Sequence, residues 1–250
     1  MGLLKSGNPA INEKVFRGVT AEGDDVMTIN GAMKKFGLML LMLLGGASFT
    51  WDLFYQGKDV MPWAMGAALG GFVVALVIIF KKTWAPQLAL GYALLEGLFL
   101  GAISAVFNAG FAQKYPGIVM QAVLLTMGVA VAMFALYYFR VLQATQTFKK
   151  VVIAATLGIG LFYLVAMIMN MFGAEMPYLH SNGPVGIGIS LFVVAIASLN
   201  LIMDFDLIEQ GAAQGAPKYF EWYSAFGLMV TIVWLYLEML RLLSKLASRR

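Results

Sequence analysis

Cysteine is absent from this chain of 250 residues, which excludes disulfides, thiol catalysis and thiolate-ligated metals. Histidine occurs once, as His180. Beside Asn182, Gly183 and Pro184 it reads as an ordinary loop residue rather than a metal ligand. Charge is scarce: Asp, Glu, Lys and Arg make up 12% of the chain, against about 25% in soluble domains. There is no Asn-x-Ser/Thr acceptor, no Gly-x-Ser-x-Gly elbow and no His-Glu-x-x-His helix. An enzyme is therefore not expected. No basic face with interleaved aromatics occurs, so nucleic acid is not an expected partner. The first 30 residues hold no apolar core, and no cleavable signal peptide is expected.

What the chain has in excess is apolar surface. Hydrophobic residues make up 61% of it, more than a soluble core of this length can enclose. Lipid must cover the remainder. A helix needs about 20 apolar residues to cross about 30 Å of hydrocarbon, and seven stretches qualify: 36–55, 62–80, 87–108, 117–139, 151–172, 185–205 and 220–243. The expected fold is an all-α integral membrane bundle of seven transmembrane helices with the last helix central. Residues 1–32 form a polar tail, 33–245 the transmembrane domain and 246–250 a basic tail. Gly57-Lys58-Asp59, Lys81-Lys82 with Pro86, Pro116-Gly117 and the polar run from Arg140 to Lys150 punctuate the spans. Trp51, Tyr55, Trp63, Trp84, Tyr137, Tyr138, Trp222 and Tyr223 lie near span ends, where aromatics favour the interface.

Basic residues set the orientation. With the N-terminus inside, eleven lie on the cytoplasmic side and six on the other. That favours a cytoplasmic N-terminus in a cell inner membrane. Arg241, Lys245, Arg249 and Arg250 then fall on the far side, unless the last segment re-enters without crossing. Gly66/Gly70 and Gly97/Gly101 are GxxxG pairs that predict close helix approach. Gly186-Ile-Gly188 lacks the context of a nucleotide fingerprint. No internal repeat is evident, which gives an inverted-repeat transporter little support.

The chemistry lies in acids within or beside these spans. A mid-membrane charge costs about 2.5–3.5 kcal/mol on insertion scales, so each acid needs a partner, water or a proton. Glu96 sits in the middle of the third span with no basic residue within one helical turn. It is expected to face protein or water. Asp204 and Asp206 end the sixth span and point about 200° apart on a helix. Asp204 shares a face with Asn200, and Asp206 shares one with Met203 and Gln210. Both also fit a simple helix end in the headgroups. Glu238 in the seventh span either pairs with Arg241, three residues on, or belongs to an interhelical acid pair.

The chain resembles bacterial members of the Bax inhibitor family, the transmembrane-Bax-inhibitor-motif proteins. Four stretches carry the resemblance: Asn8-Pro9-Ala-Ile-Asn-Glu-Lys-Val-Phe16, Glu96-Gly-Leu-Phe-Leu-Gly101-Ala-Ile-Ser104, Phe205-Asp206-Leu-Ile208 and Leu235-Tyr-Leu-Glu238. It implies seven helices, the last central, and a pH-sensitive calcium leak gated by one acid on each of the last two helices. By position these are Asp206 and Glu238. Glu stands at 238 where the family pattern has Asp, and Gly211 to Pro217 lengthens the linker between the two acids. A plain hairpin would leave Glu238 about 25 Å deeper than the start of its helix. The acids meet only if the sixth helix continues past 206 or the seventh starts late.

The resulting expectation is a calcium leak in which Asp206 and Glu238 share a proton at low pH and repel one another as pH rises. Glu96, Asp204 and Asn200 complete the candidate ion pathway. Asp206 and Glu238 are the candidate Ca²⁺ ligands, with backbone carbonyls and Asn200 adding oxygens. Asp204, on another helix face, is expected to leave gating unchanged when made Asn. Ca²⁺ is expected only as the permeant ion, with no resident cofactor. The rival expectation is an interaction protein whose polar tail docks on a membrane protease or another membrane complex. The sequence leaves oligomeric state open.

Overall fold

Proline and glycine fix where the helices begin and turn. In a computed structural model, residues 26–173 and 183–249 are described. Their helices are α1 (Ile29–Tyr55), α2 (Met61–Phe80), α3 (Ala85–Gly110), α4 (Ile118–Tyr138), α5 (Gln146–Met171), α6 (Pro184–Ala213) and α7 (Phe220–Ser248). Pro62, Pro86 and Pro184 occupy the first turns of α2, α3 and α6, where a missing N–H costs nothing. Thr28 caps α1 by accepting from Gly31 N, and Thr145 caps α5 by accepting from Phe148 N. All seven helices are long and apolar enough to cross a membrane. His180 and the Asn8–Phe16 stretch lie outside the described residues.

The helices run longer than hydropathy predicts, mostly at one end of the bundle. α1 starts seven residues before the apolar run, and α6 continues from 205 to Ala213. These extra turns carry polar groups that find partners there. Met27 N donates to Ala216 O at 2.8 Å, which ties the start of α1 to the α6–α7 turn. Arg140 pairs with Glu209, and the Lys82 ammonium lies 5.1 Å from the Tyr223 ring centre. The starts of α1, α3, α5 and α7 therefore share one end, here the N-side. At the opposite end the Lys245 ammonium donates to Gly186 O at 3.0 Å, beside the start of α6. α7 therefore runs as one continuous helix from one end of the bundle to the other.

α7 is the most enclosed helix: 67% of its most apolar window is buried, against 17% for α5. It packs on α1, α3, α4 and α6, whereas α5 packs chiefly on α6. Outward faces carry large apolar residues such as Leu69, Phe80, Leu124 and Leu161, which suit acyl chains and not water. Trp63, Trp84, Tyr55 and Tyr138 stand exposed near helix ends.

The tightest seam joins α1 to α3. A Cβ added at Gly97 would sit 2.1 Å from Leu43 O, and one at Gly101 2.1 Å from Ala47 O. Only glycine permits this approach, and Thr50 Oγ1 bridges it by donating to Leu98 O at 2.9 Å. The Gly66/Gly70 pair does not act this way. Gly66 has open space around it, and Gly70 would meet only the Leu95 methyls, at 3.4 and 3.6 Å. On α2 the glycine facing a polar group is Gly71, opposite Glu96.

Candidate functional site

Positions 227, 231, 234, 238, 241 and 245 of α7 recur every three or four residues and share one stripe. That stripe faces α6 and α5. Asp204 of α6 lies opposite Gly227, where an added Cβ would be 3.7 Å from its Oδ1. The Thr231 side chain hydrogen-bonds to the same carboxyl group. Asp204 Oδ2 is buried with no hydrogen-bond partner among the described residues.

One or two turns farther along, Glu238 is 2% exposed. Its Oε1 accepts from Tyr163 Oη of α5 at 2.9 Å and from Arg241 Nη1 at 2.6 Å. Arg241 also donates to Tyr163 Oη at 2.6 Å, closing a three-membered cluster. Glu238 Oε2 is buried without a partner among the described residues. Beyond it, Lys245 donates to Ser190 Oγ at 2.9 Å. On the α5–α6 side, Asn200 Nδ2 donates to Thr156 Oγ1 at 2.8 Å and to Ile196 O at 2.9 Å. A file of polar groups thus runs through the membrane where α5, α6 and α7 meet.

Asp206 takes another direction. Lys149, at the start of α5, pairs with its Oδ2 at 2.5 Å, and Gln210 Nε2 donates to the same oxygen at 2.7 Å. Tyr137 of α4 lies 3.5 Å from Oδ1 and also bonds to Glu209. The two aspartates point to different faces, as a two-residue helical step requires. It is Asp204 that meets α7, and this corrects the expectation that Asp206 does so.

Asp206 and Glu238 form no hydrogen bond with each other. From the N-side ends of their helices Asp206 is about 10 Å deep and Glu238 about 27 Å, at 1.5 Å per residue. α6 does continue past 206, but by too little to close that gap. Glu238 instead makes the pair with Arg241, extended across the seam by Tyr163. No group of three or more His, Cys, Asp or Glu suited to hold a metal occurs among the described residues. Asp206 and Glu238 are accordingly not assembled as calcium ligands here.

Glu96 lies at the α2–α3 seam, about 17 Å from the start of α3. It accepts from the Tyr92 hydroxyl, faces Gly71 and is half-buried. Tyr92 is itself buried, 4.8 Å from the Phe226 ring of α7.

Some participants escaped sequence reasoning. Glu221, fully buried in the first turn of α7, accepts from Thr28 N at 2.8 Å and Thr28 Oγ1 at 3.1 Å. Lys35 bonds its other oxygen, and Lys218 lies 3.5 Å away. An acid at a helix start is commonplace, so nothing in the sequence singled it out. Lys149 read as a loop cation, yet it is 4% exposed. Its long stem lets a residue of the first turn reach inward.

A family model described as Bax inhibitor 1 like matches residues 8–248. Neither the curated proteins nor the solved structures include a match to the chain.

Proposed function

For a chain that belongs to the Bax inhibitor 1-like family, and that is a multi-pass membrane protein, we propose the function of a pH-sensitive cation leak with Ca²⁺ as the permeant ion. The single observation behind this reading is the polar file between α5, α6 and α7. It contains two acids, Asp204 and Glu238, each with a buried oxygen that no side chain satisfies. An unmet buried acceptor costs about 1–3 kcal/mol, so each of these oxygens favours a further donor or a cation. A proton or a passing cation completes both groups.

In this reading the described conformation is the closed one. Tyr163 and Arg241 hold Glu238, and Thr231 holds Asp204. At low pH a proton on Asp204 favours the closed seam. As pH rises Asp204 ionises beside a seam that holds no cation for it among the described residues, the seam is destabilised, and oxygens of Asp204, Asn200 and Glu238 become available to a hard cation. α5 is the moving element, since it is the least buried helix and Lys149, Thr156 and Tyr163 attach it. Asp206 secures α5 through Lys149 and acts on gating through that attachment. The N-side of the bundle faces the cytoplasm of a cell inner membrane. Lys34, Lys35, Lys81, Lys82, Arg140, Lys149, Lys150 and Lys218 lie at that end, which supports this orientation.

The test is Ca²⁺ release from liposomes containing the purified protein, across pH 6 to 8. A leak that rises with pH above that of empty liposomes supports the proposal. Release equal to that of empty liposomes at every pH contradicts it.

A second reading has its own observation. Met27 and Thr28 strap the start of α1 to the α6–α7 turn and to Glu221. A membrane protease or other membrane protein that binds the preceding residues would pull directly on α7. Deleting residues 1–25 abolishes such a docking function and leaves a leak intact.

A further inference from the structure

A cavity of about 560 Å³ lies on the other side of α7 from the polar file. Its floor is Gly101 and Ser104 of α3 with Met229 and Tyr236 of α7. Leu44 and Ser48 of α1 form one wall, and Val123 and Met127 of α4 the other. α1 and α4 barely touch each other, so the space opens sideways into the bilayer. Leu44, Val123 and Met127 are 52%, 40% and 40% exposed, which leaves an unfilled apolar slot between two membrane helices.

The buried polar side chains inside it, Ser104, Thr126 and Tyr236, are already satisfied. Ser104 Oγ and Tyr236 Oη bond to each other at 2.6 Å, and Thr126 Oγ1 donates to Ala122 O at 2.7 Å. Its buried interior calls for neither water nor an ion, and its volume falls within the range of about 300–1,000 Å³ usual for ligand pockets. From Leu40 to Asp52 the α1 wall is about 18 Å long at 1.5 Å per residue, a little more than half of the roughly 30 Å hydrocarbon thickness. That is the reach of one acyl chain in one leaflet. At the far-side mouth stand Trp51 and Asp52. Asp52 is the only charged residue of the lining, is exposed, and makes no ion pair among the described residues.

We propose that this cavity is a binding site for one phospholipid whose headgroup carries an amine, with an acyl chain between α1 and α4 and the ammonium at Asp52. The chain length, the apolar lining and the single acid at headgroup level specify that occupant together. A purely anionic lipid would set its charge against Asp52. The site does not depend on the leak proposal, because it uses none of the residues of the polar file.

The test reconstitutes the full chain in nanodiscs of mixed phosphatidylethanolamine and phosphatidylglycerol. A trace of phosphatidylethanolamine with a photoactivatable acyl chain is crosslinked and mapped by mass spectrometry. Labelling at Ser48, Val123 and Ile232 should exceed that at Leu69 of α2 and Leu161 of α5, which face lipid outside the cavity. Val123→Trp, or Ser48→Phe from the opposite wall, should remove the excess while labelling at Leu69 and Leu161 stays unchanged. The same acyl chain on phosphatidylglycerol should label the cavity about threefold less, as expected for loss of one exposed ion pair, and Asp52→Asn should erase that preference. Equal labelling inside and outside the cavity, or labelling unchanged in both filled variants, overturns the site. Equal labelling by the two headgroups in the unmodified protein overturns the role of Asp52.

Discussion

The α1–α3 seam and the α5 seam hold helices together by opposite means. Between α1 and α3, Gly97 and Gly101 bring backbone against backbone with no room for a single methyl group. At α5 little is buried, and the attachment consists of Lys149 to Asp206, Thr156 to Asn200, and Tyr163 to Glu238 and Arg241. Close packing has one geometry and is lost steeply with distance. Polar contacts can be exchanged for water, protons or ions at modest cost. The first seam is built to stay and the second to change.

The largest effect is expected where there is least room. Gly97→Leu or Gly101→Leu must separate α1 from α3, a loss of about 3 kcal/mol or more by overpacking. Thermal unfolding in detergent should show it as a large drop or as failure to fold. Gly66→Leu, with open space around the glycine, should melt like the unmodified protein. If Gly97→Leu were as harmless as Gly66→Leu, the seam would not be rigid.

The next effect is local. Lys149→Met leaves Asp206 facing Tyr137 and Gln210 without a cation, and breaking a buried pair in this way costs about 3 kcal/mol. The cost should fall on the attachment of α5. Hydrogen exchange should accelerate in α5 while α1 and α3 keep their protection. Uniform acceleration across all helices would erase the distinction between the seams.

Tyr163→Phe removes one hydroxyl that donates to Glu238 and accepts from Arg241, worth about 1 kcal/mol. Melting should change little, and basal leak should rise because Glu238 loses one of its two donors. Smallest of all is Glu209→Gln. Its partner Arg140 is more than half exposed, so solvent screening leaves the pair little to contribute. A melting shift comparable to that of Lys149→Met would mean that the exposed end of α6 matters as much as its buried part.

The same contrast explains what could be read from the sequence. Seven spans follow from apolar runs alone, and the helical step between Asp204 and Asp206 follows from their spacing. Which aspartate meets α7 does not, because it depends on the rotation of α6 about its axis, set by packing along the whole helix. Gly97/Gly101 and Gly66/Gly70 are identical as motifs. They differ because only the first pair has the backbone of another helix pressed against it. Glu221 and Lys149 remained hidden for another reason. Their burial arises when the Met27–Thr28 strap and the end of α6 close over them, and neither contact leaves a local mark.

The central claim is that the acid facing α7 from α6, Asp204, senses pH for the leak. The most direct measurement compares Ca²⁺ release from liposomes at pH 6 to 8 for Asp204→Asn, Glu238→Gln and the double variant. The amide keeps the shape of the acid but cannot ionise. Asp204→Asn should flatten the pH dependence, Glu238→Gln should keep it, and the double variant should be as flat as Asp204→Asn alone. An Asp204→Asn protein that keeps the full rise of leak with pH would contradict the account.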